Sequence, residues 1–145
     1  MSSQIKPIKV WGKGGPSPPR VRIFLEELGL PYEIVPWPLS KVKTPEYLAV
    51  NPNGRLPAIH DPNTDLTLWE SGAILEYLVE RYDTKNKISF LPGSNEYYLA
   101  KPWLFFQASG QGVLEGHLAN QDLTSGGPWL VGGKCSYAGL AFIPW

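Results

Sequence analysis

Cysteine is almost missing from this sequence. Cys135 is the only one, and its isolation excludes an internal disulfide, a Cys-x-x-Cys redox pair and a four-thiolate zinc site. Such sparing use fits a reducing compartment. Histidine is scarce too: His60 and His117 lack the clustered partners of a metal site, so no metal is expected. No apolar run approaches the ~20 residues of a membrane span, and the opening MSSQIKPIKVW holds nothing long enough for a signal peptide. The expected setting is cytoplasmic, with no membrane partner. An excess of either charge is absent as well. Thirteen basic residues balance thirteen acidic ones, which leaves no net field to attract nucleic acid or a strongly charged substrate. The partner left by these exclusions is a small molecule or another protein.

Glycine and proline are plentiful instead, fifteen of each in 145 residues, and they punctuate the whole chain. With 43% hydrophobic and 18% charged residues, the composition is that of a folded chain with room for one ordinary domain or two small ones.

Ile5 to Trp11 is apolar, β-branched and followed by glycine, which predicts a strand whose core stretch is Ile8 to Trp11. After the loop GKGGPSPP, apolar Val21, Phe24, Leu25 and Leu28 recur at helical spacing up to Gly29, predicting a helix from about Pro18 to Leu28. Tyr32 to Val35 reads as a strand, Thr44 to Ala49 as one or two helical turns, and Asn51-Pro52-Asn53-Gly54 as a turn. Two short strands follow, Leu56 to His60 and Leu66 to Trp69. A helix then carries Ile74, Leu75, Leu78, Val79 and Tyr82 on one face. From about Thr84 to Gly93 the chain turns polar and turn-like, and beyond it only helices are expected. One runs from Glu96 to Gln111, with Pro102 expected to kink or split it; a weaker one spans Val113 to Gln121; and a short one spans Tyr137 to Phe142, with Ser136 as its cap.

Three local features carry chemistry. Glu70-Ser71 stands where a strand meets a helix. There, free backbone N–H groups and the positive end of the helix dipole suit a carboxylate, and Glu70 suits an ammonium. Together they match the head of a free α-amino acid. Taken alone, Ser71 reads more simply as a helix cap and Glu70 as a first-turn acid. Leu56-Pro57 opens a strand. With a cis bond, the Leu56 N–H and C=O would turn outward to pair with an extended peptide, although only about 5% of such bonds are cis. Ser17 precedes the first helix, where its hydroxyl either caps that helix or donates to a thiolate and favours the reactive form. The remaining candidates read mostly as packing: Cys135 as a small buried residue, and Trp103, Phe105 and Phe106 as core for the most part, with the lining of an apolar electrophile pocket as their alternative.

Taken together, NPNGRLPAI (Asn51 to Ile59), LWESGAILEYLVERY (Leu68 to Tyr82) and the opening helix VRIFLEELGLPYE resemble the cytosolic glutathione transferases. The resemblance is nearly gapless from Ile8 to Tyr82, and it is nearest to the fungal branch that includes the yeast prion-type nitrogen regulator. It implies an α/β thioredoxin-like domain over residues 1–84, with a mixed four-stranded sheet, followed by an incomplete all-α domain over 94–145. It also implies the roles at the site. Glu70 and Ser71 would hold the γ-glutamyl end of glutathione. Leu56, before a cis Pro57 and beside Arg55, would pair with the cysteinyl backbone. The glycyl carboxylate would fall near Lys43 or Lys41. Ser17 would activate the thiol, and because it is not cysteine, transfer through a mixed disulfide there is disfavoured. Lys13 is the next candidate for activation. The implied function is a detoxifying transferase, a homodimer that joins glutathione as co-substrate to a small hydrophobic electrophile, with no separate cofactor. The alternative is a non-catalytic glutathione-binding or dimerising relative with a regulatory role.

Beyond Tyr82 the resemblance is broken. WLFFQASGQG and WLVGGKCSYAGLAFIPW resemble separate pieces of the family's helical domain, and a few dozen residues are missing between Gly112 and Val113. Gly139 stands in place of an acidic residue that completes a helix cap in relatives.

Overall fold

The computed structural model of the chain describes residues 4–14, 17–106 and 129–142. Its contacts divide the chain between Leu78 and Val79 into two units.

In the first unit, β1 (Ile8–Trp11) runs parallel to β2 (Tyr32–Val35), with Ile8 opposite Tyr32 and Trp11 opposite Val35. A parallel pair needs a crossover, and α1 (Ser17–Glu27) supplies it. The predicted face of that helix is the buried one, with Val21, Phe24 and Leu25 fully enclosed. Gly29 stops it at φ +65: the Leu30 N–H reaches back to the Leu25 carbonyl at 2.9 Å and the Gly29 N–H to Glu26 at 3.0 Å. This is a Schellman closure, sealed by contact-prone apolar residues at both ends of the longer bond. A 3-10 turn (Leu39–Lys41) and α2 (Pro45–Leu48) lead to β3 (Ala58–Asp61), antiparallel to β1, and then to β4 (Leu66–Trp69), antiparallel to β3. The sheet order is β2-β1-β3-β4, the mixed four-stranded thioredoxin-like arrangement expected from the sequence. Ladder pairing in β3 begins at Ala58, two residues later than the predicted strand, because Pro57 has no N–H to donate. Ile8, Val10, Ile59, Ile74, Leu75 and Leu78 complete the core, the last three on α3 (Ser71–Tyr82).

The second unit is organised around Asp83. Its carboxylate accepts from the backbone N–H groups of Lys87, Ile88 and Ser89 and from the Ser89 hydroxyl, all within 2.9 Å. Burial raises the Asp83 carboxyl, but these bonds outweigh it and hold the group below its usual range. Lys134 donates to the carbonyls of Asn86 and Ser89, each at 2.8 Å, and lies over the Phe90 ring. The Tyr137 N–H donates to Ile88 O at 2.7 Å, tying α5 (Tyr137–Leu140) to the same segment. Helix α4 (Asn95–Phe106) is capped by the Ser94 hydroxyl on the Tyr97 N–H. It continues through Pro102 as one helix, so of the kink or split expected there the split does not occur. The carbonyl freed by that proline belongs to Tyr98, an exposed residue whose backbone water can satisfy. Ser136 occupies the cap position of α5, but its hydroxyl makes no capping bond, and the helix ends at Leu140 instead of Phe142. Cys135 is exposed, not packed as expected. The predicted end of α4 at Gln111 and the helix from Val113 to Gln121 lie outside the described residues. No described helix is long and apolar enough to cross a membrane.

Candidate functional site

The site is built from the start of α3. The Glu70 carbonyl accepts from the Ile74 N–H at 3.0 Å, so Glu70 is the cap residue and Ser71 the first helical residue. The simpler reading of Ser71 as the cap therefore fails. Glu70 holds a left-handed backbone, φ +69, which costs a non-glycine residue about 1–3 kcal/mol. Its exposed carboxylate is held by the Asn53 side-chain amide, which donates to Oε1 at 3.3 Å. At Ser71, Gly72 and Ala73, helix geometry leaves the backbone N–H groups without carbonyls to bond. A Cβ added at Gly72 would meet nothing within 4 Å among the described residues.

Arg20, on α1, lies at the same end. It is 1% exposed, and its Nη1 donates to the Ser71 hydroxyl at 3.5 Å. Burial pushes the guanidinium below its usual value, but an arginine stays a cation in a protein and can only donate.

The turn before β3 is fixed with unusual density. The Tyr47 hydroxyl and the Asn51 side-chain amide both donate to the Arg55 carbonyl, at 2.8 and 2.6 Å. The Asn51 Oδ1 accepts from the Asn53 N–H, and the Asn51 carbonyl from the Gly54 N–H. Gly54 is obligatory: φ is +60, and a Cβ would lie 2.6 Å from the Val42 carbonyl. Burial pushes the Tyr47 phenol up to about 12, against a smaller lowering by Asn51. This frame presents Leu56 and Pro57, joined by a cis bond, immediately outside the ladder.

The loop after β1 meets Leu56 from the other side. Gly12, at φ +104, leaves so little room that a Cβ would come 3.0 Å from Leu56 Cδ1 and 3.1 Å from Pro18 Cγ. Gly12 thus lies against both Leu56 and Pro18, the second residue of α1, and Ser17, the first, is half-buried. A cleft of about 460 Å³ opens here, lined among the described residues by Pro36, Trp37, Pro38, Leu39, Leu56 and the charged Lys13.

The structure thus brings Glu70 and Ser71 to one helix end and ties them through Asn53 to the turn bearing Arg55, Leu56 and Pro57. Lys43 is placed at that turn as well, its ammonium donating to the Asn53 carbonyl at 2.8 Å. Arg55 is exposed, and among the described residues its carbonyl is the group engaged. Lys41 sits in the 3-10 turn, where its carbonyl accepts from Trp37 and Thr44. The sequence reading missed Asn53, Asn51 and Tyr47, which read as turn and helix residues, and Arg20. A signal for Arg20 was present: it lies four residues before Phe24, on the buried face of α1.

The N-terminal domain of glutathione S-transferases matches this chain over residues 6–80. The glutathione S-transferase-like protein gedE of Aspergillus terreus is 56% identical, over 99% of this chain and 79% of that protein. The chain belongs to the glutathione S-transferase family. The solved glutathione transferase URE2P8 of Phanerochaete chrysosporium, a complex with oxidized glutathione, superposes with a TM-score of 0.86 at 34% identity, over 99% of this chain and 79% of that one. The transcriptional regulator URE2 of Saccharomyces cerevisiae is 38% identical over 72% of this chain and 31% of its own length. The match to gedE runs over 178 positions, 33 more than this chain has residues, so that relative carries at least 33 residues without a counterpart here.

Proposed function

We propose that the first unit binds glutathione and that the chain adds its thiolate to small apolar electrophiles. The observation that carries this reading is the start of α3, where an exposed carboxylate on Glu70 stands beside the open N–H groups following Ser71. An α-amino acid head places its ammonium and carboxylate on those two features. Leu56 offers backbone groups to the next residue of the peptide, Lys43 lies toward the glycyl end, and Ser17 stands where a hydroxyl favours the thiolate. The cleft beside Leu56 supplies apolar walls for an electrophile. A homodimer belongs to the same reading, with exposed Leu66 and Trp69 on the edge strand as surface for it.

A second reading is binding without turnover in a regulatory role. It is favoured by the positions this chain lacks relative to gedE and by its similarity to a transcriptional regulator. One preparation decides between them: calorimetry with glutathione, then turnover of glutathione with a chlorodinitrobenzene-type aryl halide. Binding with conjugation supports the enzyme, and binding alone supports the regulator.

A further inference from the structure

Arg20 is buried at the floor of the site. Arginine is almost never fully enclosed unless it is paired, and Arg20 stands on a face of α1 that otherwise buries the apolar Val21, Phe24 and Leu25. Its guanidinium can only donate, so in the contact between Nη1 and Ser71 the hydroxyl oxygen is the acceptor. A serine hydroxyl has one proton. With its oxygen engaged by Arg20, that proton is left for another acceptor at the start of α3, where the first N–H groups have no helical carbonyls to bond.

We infer that Arg20 is a positioning residue for the carboxylate of the ligand's amino-acid head, acting through Ser71: it fixes the hydroxyl as a donor and adds a buried positive charge beneath the first turn of α3. The inference rests on the glutathione reading above. It makes Arg20 specific for one charge of the ligand, which a packing role does not.

The test is calorimetric affinity for three peptides: glutathione, glutaryl-cysteinylglycine, which lacks the ammonium, and 4-aminobutyryl-cysteinylglycine, which lacks the head carboxylate. Arg20→Met, of similar volume, should lose about tenfold in affinity for the first two and less than about twofold for the third. Arg20→Lys should recover the preference for the carboxylate. Equal losses for all three peptides, or no loss, would overturn the inference while leaving the site assignment standing. If Arg20→Met does not fold, Arg20→Gln enters the same comparison, and failure of both neutral variants to fold assigns Arg20 to the fold and overturns its positioning role. A parent chain that does not bind glutathione overturns the site assignment, and this inference with it.

Discussion

The side-chain amide of Asn53 donates to the carboxylate of Glu70 at 3.3 Å, linking the turn before β3 to the cap of α3. Through this one bond, the loop that presents Leu56 and the helix end that presents Ser71 share a reference point. Glu70 needs it, because a left-handed cap residue with an exposed side chain has little else to fix its direction.

Asn53→Ala should therefore weaken glutathione binding roughly two- to tenfold, the effect of one lost hydrogen bond. Because Asn53 is exposed and its backbone bonds survive the change, stability should move by no more than about 0.5 kcal/mol. Calorimetry and thermal unfolding on the same variant check both statements.

Tyr47 sets an alkaline limit on the first unit. Its phenol is raised from 10.0 to about 12 by burial, so the folded chain favours the neutral form. The sign follows: this contribution is whole below pH about 10 and is lost as pH rises through about 12. Unfolding by denaturant at pH 9 to 12 should show stability falling over that interval, and Tyr47→Phe should flatten the fall while lowering stability by about 1 kcal/mol at neutral pH through loss of the bond to Arg55.

Asp83 acts at the acid end. Its folded carboxyl lies below its ordinary value, so its contribution is present above that value and disappears as pH drops through the folded one. Asp83→Ala strands the N–H groups of Lys87, Ile88 and Ser89 and should cost the second unit on the order of 2–3 kcal/mol. Amide hydrogen exchange should accelerate at Ile88 and Ser89 first. Slow exchange there in the variant would show that the segment is held by something other than this carboxylate.

Most of the first unit was legible in the sequence because its signals are local. Helical spacing of Val21, Phe24 and Leu25, the stop at Gly29 and the β-branched strands each name an element without reference to the rest. The site was legible only through the combination of motifs, since Glu70-Ser71 alone reads as a helix start and Leu56-Pro57 as an ordinary strand opening. What escaped were contacts between distant segments. Asn53 finds Glu70 across 17 residues and Arg20 finds Ser71 across 51, and no spacing rule announces either. The continuous helix through Pro102 escaped for another reason: the proline penalty of about 3 kcal/mol is local, whereas the helix is held by tertiary burial of Ala100 and Leu104 on either side of it.

Ser17→Ala should separate chemistry from binding. In the proposed site the peptide is held at Glu70, Ser71 and Leu56, so affinity for an S-alkyl glutathione should change little. Turnover with an aryl halide should fall by one to two orders of magnitude if a hydrogen bond to the thiolate worth about 1.5–3 kcal/mol is removed. The absorbance of the bound thiolate should titrate at higher pH in the variant. Equal turnover in parent and variant would leave Ser17 as a helix-start residue and turn attention to Lys13 in the neighbouring cleft.

The central claim is that the start of α3 receives the amino-acid head of glutathione, and calorimetry of glutathione binding to the parent chain and to Glu70→Ala tests it most directly. The parent should bind and the variant should bind at least about tenfold more weakly, because the ligand's ammonium loses its charged partner. Equal affinities for parent and variant would contradict the assignment of this site.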